Sequence, residues 1–492
     1  MRTLLFGLSL ALLVLAVVAA SPAQWRCEYA TYDDFSTGQY INCTGSNTIS
    51  VGVIGENTFV ALVSSGGTVT SENFLVPYVN ADSAVGRRDY YGYGGDVTGI
   101  YQIWTDGGFD QVQMLDVFQV AADKDSFIYV ANNDANHNIL VFRFQDDTVV
   151  TVDVGGVFPR QETGANRIWG IEVDANGYVY VCNDSSNGVG DDLKVYAPID
   201  TWTAFHTDAP TTTIDLPDGL YKGITASADG SRLWVCDYGN RTILKFVGSP
   251  TTGYTADPGF QFALMPEDTI PGDPDLPGPL GLKLLEPNNI LFVAVDELFG
   301  GGSAYDYARV YLLNANTGEL VDPDRAVSLI DVAQWNFDLI GAYNDRDGGT
   351  SPGNASGYAS TYDVELDPAG NLYSQSYYGW TVEKWVYDGE LPVVTSVEPI
   401  DNSLPGEYRL NQNYPNPFNP ATTIEFSIPS SGRVRLAVYD LLGKEVATLV
   451  DEDMGAGSYR VTFDARDLPS GTYLYSLRSA GAMVTQKMIL LK

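Results

Sequence analysis

The sequence predicts an all-β chain in two parts, a wheel of repeated antiparallel sheets followed by a small two-sheet sandwich. Three observations predict it. The 492 residues include 50 Gly and 31 Tyr but only 6 Met and 27 Lys+Arg, a composition unlike that of helical bundles or coiled coils. Five segments repeat one pattern of apolar strand, polar turn and aromatic-rich strand: 119–131 (QVAADKDSFIYVA), 170–182 (GIEVDANGYVYVC), 223–236 (GITASADGSRLWVC), 281–294 (GLKLLEPNNILFVA) and 363–375 (DVELDPAGNLYSQ). After Pro392 the texture changes to short strands spaced about ten residues apart, separated by Gly- and Pro-containing turns.

The chain opens with Arg2 and an apolar run from Leu4 to Ala20, followed by small residues, with cleavage expected after Ala20 or Ala23. Residues 1–23 therefore read as a signal peptide, and no later stretch has the length of a membrane span. In the segment 24–46, Cys27 and Cys43 are expected to close a disulfide loop worth about 3 kcal/mol.

From 47 to 392 the repeats decide the architecture. Their aligned starts at 119, 170, 223, 281 and 363 are followed by a third strand at 138–144, 193–198, 242–248, 309–314 and 382–387. Turns such as Asp174-Ala175-Asn176-Gly177 favour hairpins. A three- or four-stranded unit recurring about every 50 residues marks a β-propeller blade. One such sheet buries neither face alone; packed around an axis, it buries both. A divergent further unit between 49 and 104 gives six blades, or seven if 60–110 holds two. The insertion 334–360 is rich in Gly, Asn and Asp.

Charge narrows the partners. Nine basic and nine acidic residues lie in 405–492, which leaves 18 and 53 of the chain's 27 and 62 for the rest; the whole net charge of −35 sits before the tail. Such a surface repels phosphate backbones and excludes nucleic acid as a partner. The two histidines, His137 and His206, share no motif, and His-based catalysis is not expected. Asp184, Asp237 and Asp296 end equivalent second strands and would share one rim; with Asn132, Asn133, Asp134 and Asn183 they are candidate oxygen ligands for Ca²⁺, against a role in capping their own turns. Asn344-Asp345-Arg346-Asp347-Gly348 resembles half a calcium loop, but the position twelve from Asp345 is Ser356, not Glu. Tyr91, Tyr93, Trp104, Tyr378 and Trp380 are candidate ligand-binding aromatics, suited to sugar stacking or a protein surface. Cys182 and Cys236 occupy equivalent repeat positions and are expected to be buried, unbridged thiols.

A polar linker, 393–407, leads to the tail, 408–492. Prolines at 415, 417 and 420 fix an extended entry. Strands are expected at 423–428, 434–439, 446–450, 459–463, 473–478 and 484–490, which make a small Ig-like sandwich.

Two resemblances follow. Residues 229–246 and 169–184 resemble blades of NHL-repeat propellers and of the gluconolactonase/regucalcin group, enzymes that hold a divalent metal in the central channel. Where those enzymes place Asn before the repeat glycine, this chain has Trp169, Lys222 and Leu280, so no catalytic residue carries over. The tail resembles the type A C-terminal sorting domain of type IX secretion cargo, a relative of the Ig-like domain of hook-capping proteins. The carrying stretches are 413–424 (NYPNPFNPATTI), 438–450, 457–477 and 487–492. On that resemblance Asn413, Pro415, Pro417, Asn419, Pro420, Gly443, Gly471 and Lys487 form the sorting motif. The type IX machinery is the implied partner, and the destination, reached through the periplasm, is the medium or the outer cell surface. The expected function is a secreted propeller that binds an extracellular glycan or protein; the alternative is a metal-dependent lactonase- or esterase-like hydrolase.

Overall fold

The computed structural model describes residues 24–30, 46–65, 73–80, 100–105, 108–114, 117–134, 137–146, 148–151, 166–185, 192–198, 210–265, 277–297, 308–322, 325–332, 361–376, 381–392, 394, 397–401, 405–465 and 468–492. Among the described residues before Pro392, six sheets of three or four strands follow one another. The first has strands Ser46–Gly55, Thr58–Ser65 and Asn73–Tyr78. The second has Val120–Ala122, Phe127–Asp134, His137–Gln145 and Thr148–Thr151. The third has Asn166–Val173, Val179–Ser185, Asp192–Tyr196 and Thr212–Asp215. The fourth has Tyr221–Ala226, Arg232–Asp237, Thr242–Ser249 and Gly253–Ala256. The fifth has Gly278–Leu285, Ile290–Asp296, Arg309–Asn314 and Leu329–Asp331. The sixth has Val364–Leu366, Leu372–Ser376 and Thr381–Tyr387.

The first strand of each sheet lies against the first strand of the next, and that of the sixth returns to that of the first. This closes a ring: a six-bladed propeller. Strand Trp25–Ala30 completes the sixth blade by pairing antiparallel with Thr381–Tyr387, Trp25 opposite Tyr387. The two ends of the propeller are thus joined in one sheet. A separate hairpin, Ile100–Thr105 with Gly108–Gln113, stands between the first and second blades in sequence.

Alternation along each strand sends side chains to opposite neighbours. Val179 and Val181 pack toward the second blade, with Tyr129 and Val141. Tyr180 and Cys182, between them, pack toward the fourth, with Tyr221 and Val235. Because both faces are covered, strands such as Ile290–Asp296 are buried throughout, and they read as continuous apolar runs.

The repeated aspartate of the hairpin turns has a structural task. Asp174 Oδ1 accepts from the Asn176 and Tyr178 amides at 2.8 and 3.0 Å, while Oδ2 accepts from the Tyr180 hydroxyl at 2.9 Å. Asp123 and Asp367 do the same with Tyr129 and Tyr373. Burial raises the Asp123 and Asp174 carboxyls above the usual range, against these hydrogen bonds.

The C-terminal part is a sandwich. One sheet orders Val397–Asp401, Gly457–Asp464, Ala421–Ile428 and Arg409–Leu410; the other orders Glu445–Met454, Gly432–Tyr439, Gly471–Ser479 and Ala482–Leu490. Phe426, Leu436, Val461 and Tyr475 lie in its single core. The segment read as a linker corrects one expectation: Val397–Asp401 is an edge strand of this sandwich, opposite Gly457–Asp464. Pro399 and its charged neighbours disguised it, and an edge strand tolerates both. Among the described residues no helix is long and apolar enough to cross a membrane, which says nothing of a β-barrel.

Candidate functional site

The inner strands converge on the propeller axis, where three layers of side chains meet. In the first, the residue preceding each repeat start is buried and mostly apolar: Ile49, Phe118, Trp169, Leu280 and Tyr362, with Lys222 among them. Phe118 meets Trp169 edge to face at 5.7 Å between centroids. The Lys222 ammonium lies 3.2 Å from the Trp169 ring centroid and 5.5 Å from that of Phe118. A cation over an aromatic face in a dry setting is strongly held. The residues before the repeat starts thus form an aromatic cluster that carries a positive charge.

The second layer is the repeat start itself. Gly170, Gly223 and Gly281 are required by close approach. A Cβ on Gly170 would sit 2.5 Å from the Cys182 Sγ; on Gly223 it would strike the Leu280 carbonyl, and on Gly281 the Asp363 carboxylate. The other half of the layer is a hydrogen-bonded belt. Ser50 Oγ donates to Asp363 Oδ2 and accepts from the Val120 amide at 2.9 Å. Gln119 Nε2 donates to Asp363 Oδ1 at 3.2 Å, and its Oε1 accepts from the Ile171 amide at 2.9 Å. Blades six, one, two and three are joined there. Burial pushes the Asp363 carboxyl up to about 8, against the Ser50 hydrogen bond.

The third layer is charged. Lys283 Nζ lies 2.8 Å from Glu172 Oε2 and 2.7 Å from Glu365 Oε1. Thr225 Oγ1 donates to Glu172 Oε2 at 3.0 Å. The remaining carboxylate oxygens accept from the Val173 and Leu366 amides at 2.9 and 3.1 Å. Burial raises Glu365 to about 7, with Lys283 pulling the other way. Burial also opposes the Lys283 ammonium, but the two carboxylates outweigh it and hold it well above the ordinary lysine value. The Lys283 side chain keeps 21% exposure, more than either carboxylate partner.

Of the candidates read from sequence, only some fall among the described residues. Asp237 accepts from the Leu220 and Asn240 amides and from Asn240 Nδ2, at 3.1, 3.0 and 2.7 Å. Asp296 accepts from the Glu297 and Thr361 amides, both at 2.7 Å, and burial raises its carboxyl well above the usual range. Asp184 lies opposite Arg167 on its strand pair, and its side chain is outside the described set. Among the described residues no three His, Cys, Asp or Glu side chains gather as metal ligands. Trp104 is opposite Phe109 in the separate hairpin; Tyr91, Tyr93, Tyr378, Trp380, His206 and Cys43, and with Cys43 the expected disulfide to Cys27, lie outside the described residues. Cys182 and Cys236 are buried, and burial, then the neighbouring Cys182, pushes the Cys236 thiol up.

Sequence reasoning missed Glu172, Thr225, Lys283 and Glu365. A signal was present: all four stand two residues after the repeat start, polar or charged inside apolar strands.

The residues read as the sorting motif fall in the proline segment, one turn and the last two strands of the sandwich. Asn413 is buried; its amide donates to the Tyr475 hydroxyl at 2.8 Å, and its Nδ2 to Pro415 O and Thr422 Oγ1 at 3.0 and 2.9 Å. The peptide bonds before Pro415, Pro417 and Pro420 are cis. The Phe418 amide donates to Ile489 O at 3.0 Å, and Gln412 Nε2 to Lys487 O at 2.7 Å, so the proline segment is fastened to the last strand. Gly471 opens a strand opposite Leu490. Gly443 has φ +82 in the turn after Tyr439, a conformation that costs any residue with a Cβ.

Residues 412–491 match the family model described as Secretion system C-terminal sorting domain. The tail is a type IX sorting domain, which implies handling by that machinery and secretion or display on the outer surface. No curated protein matches the chain in sequence. Among solved structures the chain is similar to a protein from Lactobacillus plantarum, with 13% identity, TM-score 0.38, and 70% of this chain and 86% of that one covered. It is also similar to the periplasmic gluconolactonase of Pseudomonas aeruginosa, with 11% identity, TM-score 0.36, and 85% and 88% covered. A Trichoderma reesei carbohydrate-active enzyme of family AA12 gives 11% identity, TM-score 0.41, and 75% and 97% covered. The ring of inner-strand contacts, not these likenesses, carries the propeller assignment.

Proposed function

We propose that the propeller is a recognition scaffold delivered outside the cell, binding an extracellular glycan or protein through its rim and inter-blade connections. The observation that carries this reading is the axis. Its aromatic layer, glycine contacts and Glu172–Lys283–Glu365 network are committed to holding blades together, and the rim carboxylates of Asp237 and Asp296 are committed to backbone amides. Ligand contact then falls outside the axis, and Tyr91, Tyr93, Trp104, Tyr378 and Trp380 remain the proposed aromatic contacts. Residues 1–23 act as the export signal, 24–392 form the recognition unit and 393–492 the sorting module.

The test is binding of the full-length secreted protein to a polysaccharide panel and to cell-surface protein extracts. A saturable ligand, weakened roughly tenfold by Trp380→Ala or Tyr378→Ala, is expected. No binding to either panel, together with chelator-sensitive turnover of lactones, would replace this reading with a metal-dependent hydrolase.

A further inference from the structure

We propose that one end of the C-terminal sandwich, made by Tyr414, Leu441, Leu442 and Leu491, is the docking surface by which a receptor protein of the secretion machinery, presenting an apolar groove, takes hold of this chain. The proposal rests on 412–491 being a sorting domain and adds which residues the receptor grips.

The distribution of exposed apolar side chains carries it. Among the described residues, the large hydrophobic side chains left exposed are Tyr414, Leu441, Leu442, Met483 and Leu491, with Leu442 at 94% and Tyr414 at 82%. All five fall inside the matched segment. Exposed apolar groups collected in one region mark an interaction site, whereas scattered ones do not.

Register places four of them at one end. Tyr439 is opposite Leu474, so the turn holding Leu441 and Leu442 projects past Tyr439 toward Gly471. Gly471 is opposite Leu490, next to Leu491. The Leu491 amide donates to Phe418 O at 3.0 Å, and Tyr414 exchanges two 2.9 Å backbone bonds with Thr423, at the same end. Met483 lies at the opposite end, in the hairpin where Ser479 faces Ala482.

The patch is also held ready. Asp440 Oδ1 accepts from the Leu442 and Lys444 amides at 2.8 and 2.9 Å, and Gly443 adopts the left-handed conformation that the turn needs. Fixed apolar anchors lose little freedom on docking. Charge points to a receptor rather than a second copy. Residues 405–492 carry nine basic and nine acidic side chains, but the remainder of each chain carries the full −35 and repels its like.

The experiment expresses the full-length chain in a host with a type IX system and measures the fraction reaching the medium or outer surface. Each variant is also purified for its melting temperature and solution mass. Leu441→Ser with Leu442→Ser is expected to lower export roughly tenfold with an unchanged melting temperature, Tyr414→Ser and Leu491→Ser less, and Met483→Ser not at all. Normal export of the double variant, while deletion of 412–491 blocks export, overturns the docking surface alone; export of the deletion itself overturns the sorting reading. A wild-type dimer that the double variant converts to monomer, or an export loss from Met483→Ser equal to that of the leucine pair, also overturns the proposal.

Discussion

The ring and the sandwich solve the problem of covering a β-sheet in different ways. In the ring every sheet is apolar on both faces and finds its cover on the two neighbouring blades; strand Arg232–Asp237 is buried at nearly every position. In the sandwich each sheet has one covered face, and strand Ala482–Leu490 alternates between exposed and half-buried over its first half. The ring brings six inner strands so close that three repeat positions must be glycine, and it places charges at the axis. The sandwich keeps its charges outside and leaves its large exposed hydrophobics at its ends. A blade is therefore stable only through its neighbours, whereas the sandwich has a self-contained core.

The largest expected effect comes from breaking the axial network. Lys283→Met leaves the Glu172 and Glu365 carboxylates facing each other without their cation and should destabilise the ring by about 3–5 kcal/mol. Chemical denaturation followed by Trp fluorescence should show this most strongly above about pH 7, where the Glu365 carboxyl is ionised. The sandwich strands, without tryptophan, should be insensitive.

Next comes a matched pair of glycines. Gly223→Ala drives a methyl group into the Leu280 carbonyl and should cost about 2–3 kcal/mol in the ring transition. Gly443→Ala meets no atom within 4 Å but needs φ +82, and should cost only about 1 kcal/mol, in the sandwich transition. Equal losses would erase the contrast between a position fixed by packing and one fixed by backbone conformation.

The pH dependence sharpens the comparison further. The Asp363 carboxyl is raised to about 8 by burial, above its unfolded value, so its contribution is fully present below about pH 4 and is lost as pH rises through 8. Ring stability should fall between about pH 4 and 8 by about 1.4 kcal/mol per pH unit at most and level off above 8, and Asp363→Asn should flatten that slope. Melting curves across this range provide the check; an unchanged slope would show that the carboxyl titrates normally.

Much of the ring was legible because a blade is a local object: hairpin, turn aspartate and third strand lie within about 50 residues of each other. The expected strands at 423–428 through 484–490 also fall within observed strands. What sequence could not display was long-range closure. Trp25–Ala30 carries no blade motif and becomes a strand only because Thr381–Tyr387 offers it a free edge. Val397–Asp401 was hidden by Pro399 in the same way. At the axis, the identity of Trp169, Lys222 and Leu280 was legible, but their packing was not: Lys222 lies over Trp169 because three blades converge, which no single repeat encodes. The strand-end aspartates show the same limit, since a ring of carboxylates seen in sequence says nothing of the amides that Asp237 and Asp296 serve.

Closure of the ring is tested most directly by a double-mutant cycle on Ser50 and Asp363, which lie 313 residues apart and touch only if the first and last blades meet. Ser50→Ala, Asp363→Asn and the double variant are compared by urea denaturation. A closed ring predicts a coupling of about 1 kcal/mol or more between the two sites. Additive effects, within about 0.3 kcal/mol, would mean that the first and sixth blades do not meet.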